Sequence, residues 1–267
     1  MNDYPIRVGS MLFTMVDPEK GHEVEYNRWY ERDHFYAGCM IGPQLFAGKR
    51  WVATKELKDL RFPKGDTVVA SPVEKGSYLA IYWVLEGGHA EHFKWASDQV
   101  VWLYSNDRGF PKRHHAHTVL LEQPSSHYRD EDPVPIELAL DHPYKGLAVV
   151  TVDPAEGVSD EQLKAHLAET ALPALMNGSG VASMASWHYQ PSESGDTANA
   201  PMDLGMPPGP TDRNVQLFFL DQEPTAVWDR FHAYADALAE SGMGTVTFAA
   251  PFLPTIVGTD TYTDQLW

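Results

Sequence analysis

Cysteine is almost absent from this chain, with Cys39 the only one in 267 residues. No intrachain disulfide, cysteine-based metal cage or redox pair can be built from it. Long apolar runs are missing as well. Nowhere do about 18 apolar residues follow one another, and the opening Met-Asn-Asp-Tyr-Pro lacks a basic segment with an apolar stretch behind it. These absences predict a cytoplasmic chain with neither a membrane span nor a secretion signal. Basic residues are scarce in one half only: residues 134–267 hold 4 Lys/Arg against 18 Asp/Glu, whereas residues 1–133 hold 16 against 19. With a formal net charge of −17, such a surface repels phosphate backbones and anionic headgroups, which argues against nucleic acid and membranes as partners. There is no P-loop, no Gly-x-Gly-x-x-Gly after a strand, no His-Glu-x-x-His and no Gly-x-Ser-x-Gly, so nucleotide, zincin and serine-hydrolase readings lose their usual support.

What is present is an ordinary globular composition, 43% hydrophobic, arranged in two copies of one pattern. The apolar period predicts a strand at Arg7–Val16, a helix at Glu23–Cys39, strands at Phe46–Ala53 and Tyr78–Leu85, a helix at Ala90–Tyr104 and a strand at His115–Glu122. After an acidic connector, Arg129–Pro143, the same βαββαβ order returns: Gly146–Asp153, Ser159–Met176, Val181–Tyr189, Asn214–Leu220, Thr225–Ser241 and Thr245–Phe252. Ser159-Asp160-Glu161-Gln162 reads as a capping box. A βαββαβ unit forms a four-stranded antiparallel sheet with both helices on one face, so its other face needs a cover. The strand Tyr78–Leu85 is apolar on both faces, and two copies in one chain supply the missing second sheet. Two units are expected, residues 1–128 and 144–267, forming a pseudo-dimer within the chain that could associate further. The long connections Thr54–Ser77 and Pro191–Arg213 read as lids, binding loops or mobile segments.

The two copies differ in their first helix. At about 100° per residue, Tyr26, Asn27, Trp29, Tyr30, Asp33 and His34 fall on one arc, where a core-facing helix would carry Leu, Ile or Val. Burying such polar groups costs on the order of 1–3 kcal/mol each unless partners are found. The second copy shows Leu163, Leu167, Thr170, Ala171 and Ala174 instead, with His166 at the edge, which is ordinary packing. A site is expected in the first half.

The duplicated βαββαβ order resembles the dimeric α+β barrel superfamily, α+β proteins in which two ferredoxin-like units form a barrel; here one chain would contain both. Tyr26-Asn27-Arg28-Trp29-Tyr30-Glu31-Arg32-Asp33-His34 is similar to the aromatic first helix ending in histidine of the EthD-like members. Phe35-Tyr36 stands where Leu-Pro often follows that histidine. The resemblance implies a cavity between sheet and helices lined by aromatics and a histidine, and a chemistry drawn from cofactor-independent cyclases, isomerases, dehydratases and monooxygenases or from haem-handling enzymes.

His34 is the expected general acid/base, because an imidazole titrates near neutrality and a partly apolar pocket favours its neutral form. Tyr30, one turn earlier, could donate to a substrate oxygen, and Asn27 could bind a carbonyl or an oxyanion. Tyr26, Trp29, Trp83, His92, Trp95 and His117 complete the expected binding surface for a flat hydrophobic ligand. His115 and His117 are expected on one face of a strand at a spacing that could hold a metal, but no third ligand is identifiable, and no metal is expected. The chain reads as a cofactor-independent cyclase, isomerase or lyase acting on an aromatic or polycyclic carbonyl compound. The alternatives are a haem enzyme with His34 or His117 as axial ligand and a non-catalytic small-molecule binding protein.

Overall fold

The strands of both repeats meet edge to edge. In the computed structural model, which describes residues 5–190 and 200–267, eight strands close into one antiparallel barrel: β1 (Val8–Pro18), β2 (Leu45–Val52), β3 (Tyr78–Leu85), β4 (Arg113–Tyr128), β5 (Gly146–Pro154), β6 (Val181–Tyr189), β7 (Asn214–Leu220) and β8 (Gly244–Pro254). Around the barrel they run β1-β3-β2-β8-β5-β7-β6-β4. Each half keeps the ferredoxin-like order, and the seams are the β2·β8 and β4·β6 pairs. Closure leaves neither sheet with a free edge, which removes the usual risk of an exposed strand.

Alternation along the strands divides the core into layers. On β1 and β3, Met11, Phe13, Met15, Leu79, Ile81 and Trp83 belong to the cluster that fills the barrel. Their neighbours Val16, Ala80 and Tyr82 pack outward with Tyr26 and Tyr30. Tyr78 to Val84 are all buried, as the apolar character of both faces requires.

Among the described residues, six α-helical segments lie outside the strands. The predicted loop 54–77 is ordered and contains α2 (Lys55–Leu60), capped by the Thr54 side chain. Leu57, Val69, Ala70 and Val73 from it join the barrel-filling cluster, and the fully buried Arg61 ties it together by donating to the carbonyls of Val73, Lys75 and Gly76. Of the other long connection, Pro191 to Asn199 lie outside the described residues, while residues 200–206 cross to the first repeat. Thr118 donates to the Leu204 carbonyl (2.9 Å) and Met206 to that of Ala116 (2.8 Å). Gly205 sits between them with φ +80°, and a Cβ there would lie 2.4 Å from the Ala116 carbonyl oxygen, so only glycine fits.

The first helix, α1 (Glu23–Trp29), continues without a break through Tyr30–His34 and Tyr36–Met40, where its hydrogen bonding widens to the π type. α3 (His89–Ser105) lies beside it, and Gln99 joins the two by donating to the Ala37 carbonyl (2.7 Å). In the second repeat α4 (Asp160–His166) begins at the expected capping box and also passes through a π segment, Leu167–Ala171, before α5 (Leu172–Met176); α6 (Pro224–Glu240) completes the layer. Thr170 and Ala174, expected inward, are exposed, and Leu172 and Leu175 are buried instead. The wider turn has rotated the face. No helix among the described residues is long and apolar enough to cross a membrane.

Candidate active site

Between α1, α3 and the outer face of β1 and β4 lies a cavity of about 120 Å³. Leu12, Phe93, Val100 and Leu120 make its apolar walls; Tyr30, His34, His92, Arg113 and His115 are its principal polar groups. Ala200, Pro201, Met202 and Leu204 close one side, so the second repeat contributes a wall to a cavity built on the first.

His34 owes its position to the π turn. In an α-helix, residues five apart point about 140° away from each other, but i→i+5 hydrogen bonding brings them over one another. Trp29 and His34 accordingly stack, with ring centroids 4.5 Å apart and planes at 17°. Tyr30 meets the imidazole edge-on at 5.2 Å. On the following turn Gly38 leaves room for the ring, since a Cβ there would lie 2.8 Å from Nδ1. His34 is buried and forms no hydrogen bond to the described residues. Burial, followed by the charges of Arg113, His115 and Arg50, holds its pKa well below the usual imidazole range. The imidazole is therefore neutral at neutral pH.

Tyr30 faces the cavity and its hydroxyl lies 2.9 Å from that of Tyr82. Burial pushes the pKa values of both phenols upward, so each stays protonated. If Tyr82 donates to Tyr30, the Tyr30 proton is free to point at a bound oxygen. Cys39 lines the same corner, and burial raises its thiol to about 12, which makes it a poor nucleophile.

The histidines of β4 separate. The ladder with β1 shifts register between Met15·His117 and Val16·His115, a bulge that inserts one residue at Ala116. His115 and His117 therefore face opposite sides of the sheet, contrary to the expected shared face, and they cannot chelate one ion. His117 points into the barrel, 6.1 Å from Phe13, with Nδ1 against the Met206 carbonyl (2.8 Å) and Nε2 against the Tyr189 hydroxyl (2.9 Å). It does not reach His34. His115 takes the place beside His34 in the cavity, its Nδ1 2.7 Å from Thr118 Oγ1 and its Nε2 buried without a partner among the described residues. Burial, then Arg113, lowers its pKa to about 3.

Of the cavity's principal polar groups, Arg113 and His115 are absent from the expected set. The run from Arg113 to His117 stands out in the sequence, but without the bulge it points to His117. Several expected residues lie elsewhere. Trp83 belongs to the barrel interior, 6.4 Å from Trp187 and 6.2 Å from Phe219, because its neighbour Tyr82 takes the outer face. Asn27 donates to the Thr259 carbonyl and accepts from Arg50, each at 2.9 Å, and it is not among the residues that line the cavity. Tyr26 is core, packed on Tyr78 at 5.3 Å and Phe110 at 5.7 Å. Trp95 stands behind His92 and not on the cavity wall; His92 itself lines the cavity, with Nδ1 held at 2.8 Å from the Pro43 carbonyl oxygen. Trp29 touches the imidazole, while its Nε1 donates to the Arg108 carbonyl. Asp33 pairs with Arg108.

No protein-family profile matches the chain, and no curated protein resembles it in sequence. Solved structures do resemble it in shape. One provisionally described as a chlorite dismutase superposes with a TM-score of 0.53 over 98% of this chain and 100% of its own, at 10% identity. A second, an anthrone oxidase-like protein, gives a TM-score of 0.52 over 96% of this chain and 98% of its own, at 8% identity. The chain is a ferredoxin-like α+β barrel. At such identities the likeness covers the fold, and within this barrel the chemistry has to be argued from the cavity.

Proposed function

We propose that this α+β barrel is a cofactor-independent acid–base enzyme acting on a hydrophobic aromatic or polycyclic carbonyl compound, with His34 as the proton acceptor. The observation that carries the reading is a buried, neutral imidazole with no hydrogen-bond partner among the described residues, placed on the wall of a largely apolar cavity. A substrate seated there would place an acidic C–H against His34 and its carbonyl oxygen against the Tyr30 hydroxyl. His34 takes the proton, the C–H electron pair moves into the carbonyl, and Tyr30 donates to the developing enolate. The enolate then collapses by taking the proton back at another carbon, by attacking a second carbonyl, or by expelling a leaving group. These outcomes are isomerisation, cyclisation and elimination. Trp29 fixes the plane of the imidazole, and the apolar walls exclude water that would compete for the proton.

Haem, the other cofactor state implied by the resemblance, draws less support from these residues. Ala200, Pro201, Met202 and Leu204 wall the cavity beside His34, and the Leu204 carbonyl accepts from Thr118 of β4. His117 has both ring nitrogens engaged inside the barrel.

Proton–deuteron exchange at the activated methylene of 2-tetralone, followed by NMR in heavy water, tests the assignment with a simple aromatic ketone in place of the natural substrate. The native chain should accelerate exchange, and His34→Ala should lower the rate at least about 100-fold. Equal rates for the two folded proteins would remove His34 from the mechanism.

A further inference from the structure

The cavity holds one fixed charge, and that charge has no counter-ion. Arg113 is 8% exposed, and among the described residues no carboxylate lies within pairing distance of it. Its guanidinium stands 4.7 Å from the centroid of the Trp29 ring, and Nη2 donates to the Tyr104 hydroxyl at 2.8 Å. Both contacts orient the group and neither neutralises it. The chain as a whole carries a formal charge of −17, yet none of the residues lining this cavity is Asp or Glu. Burying a cation without a paired anion is costly. Beside Arg113, His115 presents a buried Nε2 that nothing in the described structure satisfies.

We infer that Arg113 and His115 form a carboxylate subsite, and that the natural ligand is an aryl or polycyclic carboxylate whose acid group docks on this pair. The inference rests on the reading of the cavity as a substrate site. Thr118 donating to His115 Nδ1 leaves the ring proton on Nε2, so the imidazole donates to one carboxylate oxygen while Arg113 donates to the other. Thr14 Oγ1, 2.7 Å from Thr118 Oγ1, can donate the hydrogen bond that this arrangement requires. The flat body of the ligand would extend along Leu12, Phe93, Val100 and Leu120 towards His34. A charged anchor at one end and a proton acceptor at the other fix which carbon meets His34.

Titration of the full chain with 2-naphthoate and with neutral 2-naphthamide, read by tryptophan fluorescence at pH 7, tests the subsite apart from turnover. Naphthoate should bind at least about tenfold more tightly than the amide. Arg113→Gln should abolish that preference while leaving the amide's affinity within a few-fold, and Arg113→Lys should keep part of it, since the charge survives and the fork does not. His115→Ala, which spares Arg113, supplies a second reading if the arginine variants fail to fold, and should weaken naphthoate selectively. A native protein that binds both probes equally, or neither, overturns the inference, as does an unchanged preference in folded Arg113→Gln. The two proposals fail separately: His34→Ala should keep the naphthoate preference, so a lost preference with His34-dependent exchange intact removes only the subsite. A preference with exchange that ignores His34 removes only the acid–base role.

Discussion

The first helices of the two repeats share a backbone but differ in what they present. α1 runs into a π segment at Tyr30–His34, and α4 runs into one at Leu167–Ala171, which is the aligned position. In the first repeat the wide turn carries an imidazole stacked on Trp29 at the edge of a cavity. In the second it carries Ala171, and Leu167, Leu172, Leu175, Trp228 and Phe231 fill the space. The strands that face these helices differ in the same way: β4 opens Arg113-His114-His115, and β8 opens Gly244-Thr245-Val246. A π turn by itself is thus a feature of the fold. It becomes a candidate for chemistry only where a titratable group and a void coincide with it.

This contrast can be broken from either side. The largest expected effect is on turnover: His34→Ala should cost about 100-fold or more in tetralone exchange, whereas His166→Ala in the other repeat should cost nothing, measured on proteins with equal melting temperatures. Next comes Gly38→Ala. Its new Cβ would press on the His34 ring at 2.8 Å, and a displacement of that ring should lower exchange about tenfold, with a smaller effect on folding. The reverse graft, Ala171→His, puts an imidazole among leucines with no cavity to receive it. Urea unfolding should register a loss of about 1–3 kcal/mol, and no new exchange activity should appear.

The smallest effect separates the inner from the outer histidine through pH. Burial lowers His117 to about 4 and His115 to about 3, both below the ordinary imidazole value. The unfolded chain therefore binds more protons than the folded one between those values and about 6.5, and each histidine withdraws stability as pH falls through that window. The stability advantage of the native chain over His117→Asn should shrink between pH 7 and pH 5, by up to about 1.4 kcal/mol per pH unit below the unfolded pKa. A constant gap in urea titrations at the two pH values would contradict a neutral, buried His117. Exchange activity should stay flat over the same range, because the base form of His34 persists below the usual imidazole pKa.

Most of the fold is legible in the sequence because it is written in local periods. Tyr78–Leu85, Val181–Tyr189 and Asn214–Leu220 are strands at the bounds their alternation predicts, and the capping box at Ser159 starts the helix it signals. The candidate site is legible in part. His34, Tyr30 and His92 reach the cavity, while Trp83 does not, since alternation leaves the choice of face open when both faces are apolar. A strict period of two puts His115 and His117 on one side and favours the wrong member, and a bulge cannot be read from composition. The segment 54–77 reads as a free loop because its anchor, Arg61, bonds backbone carbonyls more than ten residues away, a partner choice without a sequence signature.

By itself the sequence determined the duplicated βαββαβ order and the asymmetry between one polar and one aliphatic first helix, since both rest on spacing within single elements. Only the tertiary structure decided which groups share a cavity. One inserted residue at Ala116 reverses the face of a histidine, and the wall at Ala200–Leu204 comes from some 90 residues further along the chain. The unpaired charge of Arg113 is likewise a property of its neighbours in space. Period and composition describe what a segment prefers; the contacts that leave a polar group unsatisfied are settled by closure of the barrel.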